Sequence, residues 1–297
     1  MMRLGDMIRS HMALIPAMVV IGFFMILPIL IILIYSFLAP GDYGGVKPEF
    51  SIDAYQRLLF QRDLFDHMVF DPAYLKIAFR SVWVAVVSVV GCLILGFPVA
   101  YYIACQPEER RNIYLLLITI PFWTNLLIRT YCWILVLRDT GLINGGLMRL
   151  GLIDEPLSLL YTEGAIALGL IYTYVPFMVL PIYAALERLD RRLIEAARDL
   201  YSSRWVALRH VVIPLAMPGI VAGSILVFIP ALGAFIAPDL LGGGKNLMLG
   251  SLVQLQFSSA RNWPFGSALA MIIMAMVLIS LFFYARSARK NGGGIQH

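Results

Sequence analysis

The chain reads as an all-α membrane protein with six transmembrane helices, and three observations carry that reading. Of its 297 residues, 60% are hydrophobic and 14% charged, against roughly 25% charged in soluble domains. Six apolar runs of about 20 residues, the length that crosses a bilayer core, are separated by polar connectors. The arginines concentrate in alternate connectors, the pattern of segments that stay on the cytoplasmic side.

The runs cover residues 13–38, 79–105, 113–137, 163–186, 218–241 and 264–285. The first follows Arg3 and Arg9, a positive flank like that of a secretory signal. Its apolar stretch from Ala13 to Leu38 is longer than the about 7 to 15 residues of such a signal, and no A-x-A site follows, so it is read as a retained helix. In the connector after it, Gly41–Gly45 predicts a turn and Asp53–Leu59 a short amphipathic helix. The connector after the third run holds Gly141, Asn144, Gly145, Gly146 and Gly151, turn chemistry around short helices. Pro121, Pro176, Pro181 and Pro230 fall within the third, fourth and fifth runs and predict kinks, which membrane helices accommodate when neighbours satisfy the freed backbone groups. The expected organisation is a cytoplasmic N-terminus over 1–12, a six-span domain over 13–285 that includes a cytoplasmic loop at 187–213, and a cytoplasmic tail over 286–297.

With the N-terminus inside, the cytoplasmic pieces hold 13 of the 23 basic residues, including six arginines from Arg188 to Arg209. Both termini are therefore expected in the cytoplasm. The net charge of +5 reflects this topology and gives no reason to expect a nucleic-acid partner; the lipid bilayer is the partner that composition demands. Cys92, Cys105 and Cys132 lie in or at the ends of the runs without a C-x-x-C pair, which argues for packing residues and against a disulfide framework.

Catalytic patterns are missing from the sequence. Gly242-Gly243-Gly244-Lys245-Asn246 fails as a phosphate-binding loop, because Asp239 stands at the first glycine position and Asn246 replaces Ser or Thr. His11, His67, His210 and His297 are scattered, and neither H-E-x-x-H nor G-x-S-x-G occurs. The chain is expected to be no enzyme, to bind no metal and to carry no cofactor of its own.

The segment from Glu195 to Ile220 stands out as a charged amphipathic stretch between two apolar runs. Leu193, Ala196, Ala197 and Leu200 fall at i, i+3, i+4 and i+7, one narrow helical face whose alanines allow close approach. Glu195 and Asp199 lie one turn apart beside it, with Arg191, Arg192 and Arg198 within pairing reach. This segment resembles the cytoplasmic coupling loop of ABC importer permeases, whose pattern is E-A-A, three residues, G, nine residues, I-x-L-P. Glu195, Ala196 and Ala197 match it, and Pro214 closes the loop. Tyr201 stands where the family usually has glycine, a residue that takes positive φ without strain, and the closing run is Val212-Ile213-Pro214-Leu215.

The runs Pro121–Tyr131, Val175–Tyr183, Ile213–Ser224, Pro238–Gly243 and Asn262–Ala268 are similar to those of spermidine/putrescine ABC permeases of the PotB/PotH type, a resemblance extending over about residues 74 to 285. It implies the MetI-like fold of type I importers in a bacterial inner membrane. It also implies a second homologous permease subunit, two ATP-binding subunits that use ATP and Mg, and a periplasmic substrate-binding protein. The expected ATPase-coupling residues are Glu195, Ala196, Ala197, Asp199, Leu200, Tyr201 and Pro214.

Substrate chemistry is expected among membrane-embedded aromatic and ionisable groups. Trp123, Trp133, Tyr172 and Tyr174 offer aromatic faces, which attract an ammonium by about 0.5 to 2 kcal/mol, and Asp239 closes the fifth run with a carboxylate. These five are the candidate path for a polyamine. Arg129, deep in the third run, would repel a cation and is expected to face away from the path and be paired. Two other readings remain: a permease for another small organic solute, such as an opine or amino-acid derivative, and a self-sufficient ion-coupled carrier. The latter is expected to show inverted repeats and midplane carboxylates, and the sequence displays neither.

Overall fold

The computed structural model describes residues 4–62, 68–187 and 204–292. The chain divides into two compact units, one formed by Met1–Tyr74 with Val253–Met274 and the other by Leu75–Leu252 with Ala275–His297.

The first unit begins with α1 (Leu4–Tyr35), followed by two small antiparallel hairpins and one helical turn. Strands β1 (Leu38–Pro40) and β2 (Val46–Phe50) pair around the turn predicted at Gly41–Gly45. Gly44 and Gly45 take φ of 100° and 81°, the left-handed region open to glycine, and Lys47 Nζ closes the turn on Asp42 Oδ1 at 2.7 Å. Helix α2 (Asp53–Gln56) is shorter than the predicted 53–59. Strands β3 (Phe60–Arg62) and β4 (Met68–Phe70) form the second hairpin. The hairpins add β-structure that the all-α reading did not contain. The first is anchored beside α2 by Tyr55 Oη, which donates to Ser36 Oγ at 2.9 Å, and by Phe37, whose ring meets Tyr55 at 5.2 Å and Phe50 at 6.0 Å.

In the second unit α3 (Ala73–Ala104), which begins in the first unit, is followed by α4 (Glu108–Trp123), α5 (Leu126–Leu137), α6 (Leu142–Arg149) and α7 (Glu163–Glu187). After the undescribed segment come α8 (Arg204–Ala207), a π-helical turn at Leu208–Val212, α9 (Ile213–Leu232) and α10 (Ile236–Gly242). Helices α11 (Leu249–Ser258) and α12 (Trp263–Gly292) complete the order. Among the described residues five helices are long and apolar enough to cross a membrane, six if the bent pair of Glu108–Trp123 with Leu126–Arg149 is one broken span.

Two spans differ from expectation. The third, predicted as one run over 113–137, is broken at Thr124 and Asn125 with an 87° change of direction. Pro121 lacks the N–H that would bond one turn back, Thr124 Oγ1 donates to the Pro121 carbonyl at 2.7 Å, and Asn125 Oδ1 accepts from Leu127 N at 2.8 Å to start the next helix. The fifth span runs over Trp205–Leu232 instead of 218–241. Residues 204–213 of the expected loop are therefore helical, and Asp239 lies in the separate helix α10 instead of closing the span. Pro214 continues this helix because the π-helical turn, with Ile213 N donating to Leu208 O, widens the backbone just before the proline ring. Helix α7 remains helical through Pro176 and Pro181, and α9 through Pro218 and Pro230.

The core of this unit is the packing of α7 on α9 and α10, with α3 completing it. Ile166, Leu170, Met178, Val179 and Ile182 of α7 are buried against Ala216, Val227 and Ala231 of α9 and Val84 and Cys92 of α3. Small residues make this closeness possible, as is usual between membrane helices. A Cβ on Gly219 would sit 2.5 Å from the Pro181 carbonyl oxygen and 2.9 Å from Ile182 Cα. Arg80 Nε meets Glu163 Oε1 at 3.0 Å across α3 and α7, and Leu249 N donates to the buried Ser81 Oγ at 2.8 Å.

Candidate functional site

The break in the third span opens a cavity of about 550 Å³. Phe122 and Thr124 line it from the end of α4, and Leu126 and Arg129 from the first turn of α5. Thr173, Tyr174 and Phe177 contribute one face of α7, while Ile225, Leu226, Ile229 and Pro230 contribute one face of α9. Within α5, α7 and α9 the i, i+3 and i+4 spacings are those that bring side chains onto one side of a helix.

Its walls are mainly apolar and aromatic. Phe177 meets Phe122 edge-on at 5.3 Å and lies 6.1 Å from Tyr174. Most polar groups are already engaged: Tyr174 Oη donates to the Pro230 carbonyl at 3.3 Å, and Thr173 Oγ1 donates to Gly169 O at 2.8 Å. The Tyr174 bond uses a carbonyl near the end of α9, where the helix ladder stops at Leu232. Arg129 is different, since its buried Nε has no hydrogen-bond partner. No acidic side chain lines the cavity among the described residues.

Of the five path candidates, Tyr174 lines this cavity. Trp133 and Tyr172 form an edge-on pair at 5.6 Å outside its lining, with Trp133 packed on the buried core. Trp123, 84% exposed, stands at the end of α4. Asp239 is exposed on α10. Arg129, expected to face away from the path, lines this cavity beside the turn at Thr124 and Asn125. Phe122, Thr173, Phe177 and the α9 face escaped sequence reasoning, for in a span that is apolar all round a cavity-facing side chain looks like a lipid-facing one.

Glu195, Ala196, Ala197, Asp199, Leu200 and Tyr201 lie outside the described residues. Pro214 lies exposed in the first turn of α9. Immediately before the undescribed segment, Glu187 Oε1 accepts from Tyr183 Oη at 2.5 Å and lies 3.6 Å from Arg111 Nη1. Arg111 Nε also donates to Gln106 O at 2.7 Å, so α4, α7 and the turn after α3 are joined at one end. Among the described residues no group of His, Cys, Asp or Glu has the arrangement of a metal site.

Residues 10–291 match the family model described as binding-protein-dependent transport system inner membrane component. The chain is 41% identical over 266 residues to the spermidine/putrescine transport system permease protein PotB of Salmonella typhimurium (strain SL1344), covering 90% of this chain and 89% of that protein. The protein of the same name from Escherichia coli (strain K12) is also 41% identical over 266 residues, with 90% and 93% covered. A bacterial ABC transporter involved in the import of the acidic polysaccharide alginate superposes with a TM-score of 0.72 at 16% identity, covering 97% of this chain and 99% of that one. At that identity the likeness speaks to the fold, which is the MetI-like fold of ABC importer permeases. By sequence along nearly its whole length and by architecture, the chain belongs to the family of binding-protein-dependent transport system inner membrane components.

Proposed function

We propose that this permease subunit translocates a polyamine, spermidine or putrescine, inward across a bacterial inner membrane. The observation that carries the proposal is 41% identity spread over 90% of the chain to permeases named for those solutes. The aromatic walls of the cavity suit an ammonium that has left water. The subunit works beside a second homologous permease, two ATP-binding subunits and a periplasmic binding protein. It has no ATPase site of its own, and ATP and Mg act on the partner subunits. Both termini, 1–12 and 286–297, lie in the cytoplasm on this reading, with 13–285 forming the membrane domain.

Coupling runs through Glu195 and the small face of Ala196 and Ala197, which seat against an ATP-binding subunit. Glu195→Lys is expected to abolish solute uptake and solute-stimulated ATP hydrolysis in the assembled transporter while the chain still inserts. Uptake at the wild-type rate would remove this assignment.

The solute is tested by uptake of labelled spermidine, putrescine, opines, amino acids and sulfate in cells lacking their own polyamine importers. Polyamine uptake is expected, and transport of sulfate alone would overturn the cation reading. The unpartnered Nε of Arg129 favours a second reading, a carboxylate-bearing opine or amino-acid derivative, which the same assay separates.

A further inference from the structure

We infer that Arg129 is one half of an ion pair between subunits, and that its other half is an aspartate or glutamate carboxylate of the second permease. The inference rests on the reading that this chain works beside a homologous permease, and it assigns that partner a specific chemical group at the cavity.

An ionisable side chain inside a membrane span requires compensation. Among the described residues none is supplied to the Arg129 Nε: it is buried without a partner, the lining holds no acid, and Tyr174, whose hydroxyl proton goes to Pro230, does not accept from it. Thr173, whose hydroxyl proton goes to the Gly169 carbonyl, likewise leaves Nε unbonded. The surroundings reinforce the charge. Arg129 sits in the first turn of α5, whose free N–H groups carry partial positive charge. The ligand that fits a guanidinium fork in such a place is a carboxylate, which it binds with two parallel hydrogen bonds.

A carboxylate on the transported solute would meet this requirement only while solute is bound, leaving an uncompensated charge through the rest of the cycle. A subunit carboxylate compensates it throughout. It also removes the conflict between a cationic solute and a cationic wall, since a paired guanidinium presents almost no net charge to an ammonium passing the aromatic side chains. Arg129 is thus a positioning residue for the subunit interface, and the polyamine never bonds to it.

The test uses the complete transporter, with both permeases and the ATP-binding subunits co-expressed. Arg129→Glu is expected to lower both labelled spermidine uptake and recovery of the second permease in affinity purification by at least about tenfold, the scale of a broken buried charge pair. Replacing each membrane-span acid of the second permease by arginine in turn should then reveal one position that restores both quantities in the Arg129→Glu background. Arg129→Gln, which keeps the side chain's bulk, guards against a folding defect and is expected to show the same double loss with normal insertion. Wild-type uptake and recovery in Arg129→Gln would overturn the inference, as would a full acid scan without rescue. A third overturning result uses putrescine and ornithine, which differ by one carboxylate. If Arg129→Gln loses ornithine uptake alone, with assembly and putrescine uptake intact, the carboxylate belongs to the solute. Should the wild type carry no polyamine, the proposed solute fails, while recovery and charge-swap rescue still report on the ion pair.

Discussion

Helices α1 and α7 are both long enough to span a bilayer, yet they meet different surroundings. Within Met18–Tyr35, the more apolar of the two, the chain buries no residue, whereas half of α7 is buried. In water the order would be reversed, because the more apolar helix would be driven inside. In lipid an exposed leucine loses nothing, so burial follows shape instead. Helix α7 carries the needed shape in Ala165, Ala167 and Gly169, and it meets Gly219 and Gly223 of α9. Helix α1 shows Phe23, Phe24, Met25 and Ile26 in succession, a bulky surface suited to acyl chains. In this chain bulky apolar residues lie on the exposed helix, and small residues mark where helices touch.

The contrast makes graded predictions, all read as shifts in the thermal unfolding of the purified transporter. Gly219→Leu is expected to have the largest effect, destabilising by about 3 kcal/mol or more or preventing assembly, because the obstacle to its Cβ includes the backbone of Pro181 and Ile182. Met178→Ala comes next, at about 2 to 5 kcal/mol in the range seen for large-to-small core changes, with the lower half expected because the methionine side chain is flexible. Phe24→Leu on α1 should fall within about 0.5 kcal/mol of wild type. A shift for Phe24→Leu as large as that for Met178→Ala would show that another subunit buries α1, and the contrast would then belong to this chain alone.

Class and span count were legible in the sequence, since both depend on apolar length and the placement of arginines. Where a span breaks was not. Hydropathy runs on through Thr124 and Asn125, and the 87° turn depends on three local groups, Pro121, Thr124 and Asn125, acting together. The fifth run likewise continued on paper to residue 241, while the helix ends at Leu232 before Gly233. The cavity was less legible still. Tyr174 was found because it is aromatic and polar, but Thr173, Phe177 and Ile225 carry no mark in a uniformly apolar sequence. Charge singles out Arg129, but repulsion of a cationic solute predicts that it faces away from the path, and it lines this cavity instead.

The cluster at Glu187 has a mechanical consequence. It fastens α4 to α7 at the point where the chain leaves α7, and the other end of α4 carries Phe122 to the cavity wall. Between Arg111 and Phe122 lie roughly 16 Å of helix. With the fastening intact α4 and α7 are held together at that end, and a tilt of about 10° would displace the far end of α4 by about 3 Å. The cavity wall at Phe122 is thereby tied to the end of α7 at Glu187, so a rotation at the fastened end reaches the cavity as a displacement.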